Sequence, residues 1–231
     1  MKRKLVVLTG AGMSAESGLS VFRGSNGLWG EHRIEDVATP EGWYRDRKLV
    51  LDFYNGLRHK LLESAPNEGH KGLAELERCF DVYVITQNVD NLHERAGSGN
   101  VLHLHGELMW VRSEKDERLR LELPADNCDV SVGDKAPDGA QLRPDIVWFG
   151  EAVPMLDKAV EWSSEADIFV IIGTSLNVYP AAGLLHYVRK GIPVYLIDPN
   201  DVVDPYSRVT KFIRKGAGEG VKELIADLDV C

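Results

Sequence analysis

The chain is 231 residues long, 44% hydrophobic and 27% charged, which suits one α/β domain with room for a small second lobe. A formal charge of -9 argues against a general affinity for nucleic acid or an anionic membrane, so an anionic ligand would need a dedicated pocket. Cys79, Cys128 and Cys231 are too few and too scattered for a disulfide framework, no apolar run approaches membrane-spanning length, and the opening MKRKLVVLTG turns to glycine too soon for a signal peptide. A reduced, cytoplasmic protein is expected.

In chain order, Lys4–Gly10 (KLVVLTG) reads as a buried strand, and the turn after it carries Gly10-x-Gly12-x-x-Ala15. Such a turn lets backbone N–H groups approach a pyrophosphate at the positive end of the next helix, although glycines also occur between strand and helix for steric reasons alone. A dinucleotide fingerprint expects an acid about 20 residues on, at the end of a second strand. Glu31, Glu35 and Asp36 instead lie in a polar stretch with no strand before them, so the far ribose would need another partner. Ser25–Asn67 is polar with helical stretches, Gly69–Cys79 has a helical pattern, and Val82–Thr86 is again a strand. Directly after it stand Gln87, Asn88 and Asp90, where the carboxyl end of a strand faces the ligand crevice of an open sheet. Amides there can read a carboxamide, whereas capping a helix over Asn91–Ala96 would explain one of the three residues.

Val101–Gly106 (VLHLHG) alternates, so His103 and His105 are expected on one side of a strand that Gly106 ends. His105 is a candidate general base, against the structural role that a strand histidine usually has. Glu107–Leu142 is charge-rich and punctuated. Ile146–Gly150, Ile168–Ser175 and Val194–Asp198 read as further strands, with helical patterns over Ala181–Arg189 and Glu219–Leu228. The alternation implies a doubly wound, Rossmann-like parallel sheet in an α/β fold, with a smaller lobe formed by two insertions. Residues 1–24, 68–106 and 143–231 would form the large lobe, and 25–67 and 107–142 the small one. Asp198 would either hold the vicinal ribose hydroxyls across a strand-order reversal or cap the turn Asp198-Pro199-Asn200.

Taken together, GAGMSAESG with VFRG, TQNVDNLHERAG, HLHGEL, LRPDIVWFGE and IIGTSLNVYPAAG resemble the sirtuins, NAD-dependent protein-lysine deacylases, in order and through nearly the whole chain. SAESG and GLW point toward the bacterial and mitochondrial deacylase branch. The resemblance implies NAD as cofactor. Gly10, Ala11, Gly12, Ala15 and the loop of Phe22 and Arg23 would cover its phosphates and nicotinamide ribose, and Gln87, Asn88 and Asp90 would bind the ribose and carboxamide. Gly173, Thr174, Ser175, Asp198, Pro199, Asn200 and Ala217 would surround the adenosine half; many relatives have Asn where Asp198 stands. His105 matches the catalytic base. The acyl group would pass from lysine to ADP-ribose, with release of nicotinamide and O-acyl-ADP-ribose. An acylated peptide would enter as an extended strand, with Phe149, Gly150 and Val178 as contacts. A NAD glycohydrolase or ADP-ribosyltransferase on the same fold is the alternative enzyme. A non-catalytic nucleotide-binding module would leave His105 without a task. The expected partners are acylated lysine side chains of proteins, with no direct nucleic acid and no membrane.

Two departures from the family stand out. Most sirtuins hold a structural zinc with four cysteines between HG and FGE, an interval that here contains only Cys128, so no metal is expected. Leu119, Leu121, Leu123 and Val130 would hold the lobe by apolar packing. Relatives that prefer succinyl or malonyl groups carry Tyr-x-x-Arg, whereas this chain has Tyr54, Leu57 and, one place later, Arg58. Either Arg58 takes over the carboxylate, or it is a solvated helix-face charge while Leu57 lines an apolar tunnel. The second reading favours deacetylation over desuccinylation or demalonylation.

Overall fold

The computed structural model describes residues 2–19, 32–204 and 206–228. In chain order these form β1 (Lys4–Thr9), 3-10 turns at Ala11–Met13 and Ala15–Ser17, α1 (Ile34–Val37), α2 (Pro40–Arg45), α3 (Arg47–Glu63), α4 (Glu68–Leu76), β2 (Asp81–Thr86), α5 (Leu92–Ala96) and β3 (Val101–His103). There follow β4 (Gly106–Ser113), β5 (Arg120–Glu122), β6 (Leu142–Ile146), α6 (Leu156–Glu165), β7 (Ile168–Ile172), a 3-10 turn at Ala181–Gly183, α7 (Leu184–Tyr187), β8 (Val194–Ile197), β9 (Lys211–Ile213) and α8 (Ala217–Leu228).

Six strands pair in parallel in the order β3-β2-β1-β7-β8-β9. Both faces of the central strands are covered, which is why their sequences are continuous apolar runs. Leu5 and Val7 of β1 pack with Leu73, Val221 and Leu224 of α4 and α8, while Val6 and Leu8 pack with Ala159, Leu184 and Leu185 of α6 and α7. A second sheet, antiparallel in the order β5-β4-β6, shares a core with α1, α2 and α3 through Val37, Trp43, Tyr54, Val111 and Trp148. Asp46 caps α3 by accepting the Leu49 N–H at 2.9 Å. Among the described residues, no helix is long and apolar enough to cross a membrane.

Several sequence expectations need correction. The strand expected over Val101–Gly106 stops at His103, and Gly106 begins β4 of the other sheet instead of ending a strand. Its φ of +85° turns the chain there, where a Cβ would lie 2.0 Å from the Asp145 carbonyl oxygen. The strand placed at Ile146–Gly150 lies earlier, at Leu142–Ile146, and in the antiparallel sheet. Beyond it a turn forms, with Glu151 N–H bonding Trp148 O and the Glu151 carboxylate accepting the Trp148 N–H. The helix expected over Ala181–Arg189 is a 3-10 turn followed by four helical residues. Leu121 is 39% exposed and does not help to hold the small sheet; Val130, Cys128, Ala136 and Leu142 are buried there, with Leu123 packed against them.

Candidate active site

The chain runs outward from β1 to β2 and β3 on one side and through β7, β8 and β9 on the other, so the carboxyl ends of β1 and β7 diverge and leave a crevice. Two loops interlock at this point. Gly10 N–H bonds Ile172 O at 3.0 Å, and Gly12 N–H bonds Gly173 O at 2.9 Å. A Cβ on Gly12 would lie 2.7 Å from Gly173 Cα, and one on Gly173, whose φ is +63°, would lie 2.3 Å from Met13 N. The glycines are therefore required by the chain's own packing, whatever they also hold. Ala11 is half-buried and Ala15 exposed beside them, and the Glu16 carboxylate accepts the Gly218 N–H at 3.2 and 3.3 Å, tying this turn to the start of α8 next to Ala217. Phe22 and Arg23 lie outside the described residues.

The polar residues after β2 converge on the same turn. Asn88 Nδ2 donates to Gly10 O at 3.0 Å and to Ser14 Oγ at 3.1 Å, and Ser14 Oγ donates to Asp90 Oδ2 at 2.8 Å. The other Asp90 oxygen accepts the Leu92 N–H at the start of α5, so Asp90 also ties the start of that helix. Burial pushes its carboxyl above the usual carboxylate range, against the hydrogen bond from Ser14. Gln87 Nε2 donates to Thr174 Oγ1 at 3.2 Å, bridging the β2 and β7 loops. Ser175 is exposed next to it. The Asn91 side-chain oxygen is buried with no partner among the described residues. Sequence reasoning missed Ser14, whose place inside the glycine turn was the available signal, and named Thr174 without its bond to Gln87.

The two histidines differ in their partners. His103 has both ring nitrogens engaged, Nδ1 with Asn88 O at 3.0 Å and Nε2 with Glu94 at 2.8 Å. Burial opposes its charged form, but the Glu94 carboxylate outweighs it and the pKa rises above the ordinary value. His105 Nδ1 donates to Gln87 O at 3.0 Å, and Nε2 has no hydrogen bond among the described residues. Burial lowers the His105 pKa, opposed by the Gln87 carbonyl, so this ring is neutral with a lone pair on Nε2.

At the carboxyl end of β8, Asp198 Oδ1 accepts both the backbone and the side-chain N–H of Asn200, at 2.8 and 3.1 Å, and so caps the turn over exposed Pro199. Its other oxygen has no hydrogen bond among the described residues. Phe149 and Gly150 are exposed in the turn after β6, and Val178 is half-buried after β7. Tyr54 is buried, its hydroxyl accepting Trp148 Nε1–H at 3.0 Å. Arg58 is no solvated helix-face charge: it is fully buried, with Nε donating to Leu108 O at 2.8 Å and Nη1 to Asn55 at 2.7 Å and Cys128 O at 3.4 Å. Leu57 is half-buried against the same core. The interval from Glu107 to Gly150, with one cysteine, cannot supply four thiolates, so its residues do not fit a four-cysteine zinc site. It is tied instead by Ser113 Oγ, which donates to Asp138 at 2.6 Å, and by Gln141, which bonds Gly133 N–H and Ser131 O.

The model of the Sir2 family matches residues 10–180. An NAD-dependent protein deacylase of Bacteroides thetaiotaomicron is 62% identical over 225 residues, covering 96% of each chain. A Sir2 homologue mutant solved with ADP-ribose superposes with a TM-score of 0.89 at 39% identity, covering 97% of this chain and 91% of that one. A Sir2 homologue solved with NAD gives 0.85 at 39% identity, covering 98% and 90%. With a crevice at the strand-order reversal, interlocked glycine turns and an amide cluster beside a neutral histidine, the chain belongs to the Sir2 family, the sirtuins.

Proposed function

We propose that this protein is a NAD-dependent protein-lysine deacylase and that His105 is its general base. The observation that carries the assignment is the His105 ring, held by Gln87 O with Nε2 uncommitted, at the crevice where Gln87, Asn88 and Asp90 meet the Gly10 turn. These residues fit NAD: buried amides suit a carboxamide, and the uncommitted oxygen of Asp198 suits ribose hydroxyls. Bound NAD would supply the ribose, whose hydroxyl oxygen would take the acyl group as nicotinamide leaves, giving O-acyl-ADP-ribose and free lysine. Gly10, Ala11, Gly12 and Ala15, with Phe22 and Arg23, would hold its phosphates, and Gly173, Thr174, Ser175, Asp198, Pro199, Asn200 and Ala217 the adenosine half. Gln87, Asn88 and Asp90 would orient the nicotinamide end and exclude water, and His105 Nε2 would take a hydroxyl proton. Phe149, Gly150 and Val178 would pair with an extended acyl-peptide. Apolar Leu57, in place of the arginine of acid-selective relatives, supports acetyl over succinyl. Release of nicotinamide should require acyl-lysine peptide, and His105→Ala should cut turnover at least about a hundredfold while NAD binding persists. Peptide-independent release would identify a NAD glycohydrolase, and near-normal turnover by the variant would remove His105 from the mechanism.

A further inference from the structure

We propose that His59, Cys128 and Asp129 form a binding site for one divalent zinc-class cation, separate from the crevice. His59 Nε2 lies 2.8 Å from Asp129 Oδ1, and one ligand atom from each of His59, Cys128 and Asp129 lies within 4.8 Å of the others. Tetrahedral zinc with bonds of about 2.0–2.3 Å sets its donors roughly 3.3–3.7 Å apart. The side chains of His59 and Asp129 are each 57% exposed and so are free to adjust toward that spacing.

The scaffold beneath the trio is fixed. Asn55, on α3, pairs with the Val130 backbone in both directions, donating to its O at 3.1 Å and accepting its N–H at 3.0 Å. Arg58, one residue before His59, donates to Cys128 O. Positions 55, 58 and 59 share one helix face, so the contacts that fasten residues 128–130 also present Cys128 and Asp129 to His59. Cys128 is buried and unbridged, and shields one side of the site, while the exposed pair leaves a fourth position for water. One thiolate, one imidazole and one carboxylate match zinc or cobalt and do not suit magnesium, which takes oxygen ligands. Two negative donors offset the dication, but the neighbouring Arg58 cation and the missing fourth protein ligand make the site weaker than a four-ligand structural site. This set draws its first ligand from α3, outside the interval where relatives place their cysteines. Bound metal would staple α3 to the 128–130 segment.

The test is titration of chelator-treated full-length protein with Co²⁺, then Zn²⁺, with Mg²⁺ as control, reading the cobalt–thiolate charge-transfer band and the thermal midpoint. The expected result is one equivalent of Co²⁺ with a thiolate band that Zn²⁺ displaces, a rise in Tm with Zn²⁺ and none with Mg²⁺. His59→Gln and Asp129→Asn, both at exposed positions, should each weaken Zn²⁺ binding at least about tenfold, and Cys128→Ser should abolish the band. No thiolate band, or affinity unchanged in His59→Gln and Asp129→Asn, would overturn the site and leave a His–Asp ion pair only. Binding is read without turnover, so failure here is separable from failure of the deacylase assignment.

Discussion

At the scale of single residues, His103 and His105 differ in charge because of one neighbour. Glu94 of α5 pairs with His103 and favours its imidazolium, whereas His105 has only a carbonyl partner and burial depresses its pKa. A base must be neutral to act, so the acid limb of kcat/KM should fall below the ordinary histidine value of 6.5. A profile of acyl-peptide deacylation from pH 5 to 8 measures this; a midpoint at or above 6.5 would contradict it. The sequence puts both histidines on one side of a strand and singles out His105, but it does not reveal the charge difference, because Glu94 reaches His103 from another element. Arg58 was misread for a related reason: helical spacing gives a direction and not the depth of the surrounding core. Burial pushes its guanidinium down to about 10, still cationic at neutral pH. Arg58→Met should keep the volume but leave Leu108 O, Cys128 O and Asn55 without their donor, costing about 2–4 kcal/mol in urea unfolding. A loss below about 0.5 kcal/mol would return Arg58 to the surface.

At the scale of elements, β1, β2, β7 and β8 were legible because strands covered on both faces need continuous apolar residues. β3, β4 and β6 were less so: their ends are set by the positive φ of Gly106 and by the Trp148–Glu151 turn, which depend on partners far along the chain. The glycine turn was read correctly as a strand–turn unit, but its tightest requirement comes from Gly173, which no local pattern reveals. α3 carries the acyl question. It brings Tyr54 into the core against Trp148 and leaves Leu57 half-buried one turn on, while Arg58 is committed to backbone carbonyls. An arginine so committed is poorly placed to serve a substrate carboxylate, so acetyl-lysine should turn over faster than succinyl-lysine on one peptide. Leu57→Arg should raise succinyl turnover about tenfold, the scale of one charge-assisted hydrogen bond. If wild-type protein prefers succinyl, the apolar-tunnel assignment fails.

At the scale of the whole molecule, a neutral histidine pair joins the helices to the sheet beneath the crevice. His70 closes the capping box of α4 by accepting the Asn67 N–H, and its ring meets that of His93 edge-on at 4.8 Å. His93 Nε2 lies 3.1 Å from Thr9 Oγ1, which donates to Thr86 Oγ1, and that oxygen accepts the Asn88 N–H. Both rings are fully buried, and each keeps one nitrogen without a partner among the described residues. Burial pushes the His70 pKa down to about 4 and holds that of His93 well below 6.5. The unfolded chain therefore binds protons that the native state refuses, and stability rises with pH across this window. The contribution is fully present above 6.5 and is lost as pH falls toward the folded value. For His70 it amounts to about 3 kcal/mol in full, of which about 2 kcal/mol is gone by pH 5. His103 acts in the opposite sense, since its raised pKa favours the fold in acid. Urea unfolding at pH 7.5 and pH 5 should show this loss, and His70→Gln, whatever its stability at pH 7.5, should lose less between the two. Equal losses in wild type and variant would mean that the buried pair does not govern acid stability, and that protonation elsewhere opens the molecule first.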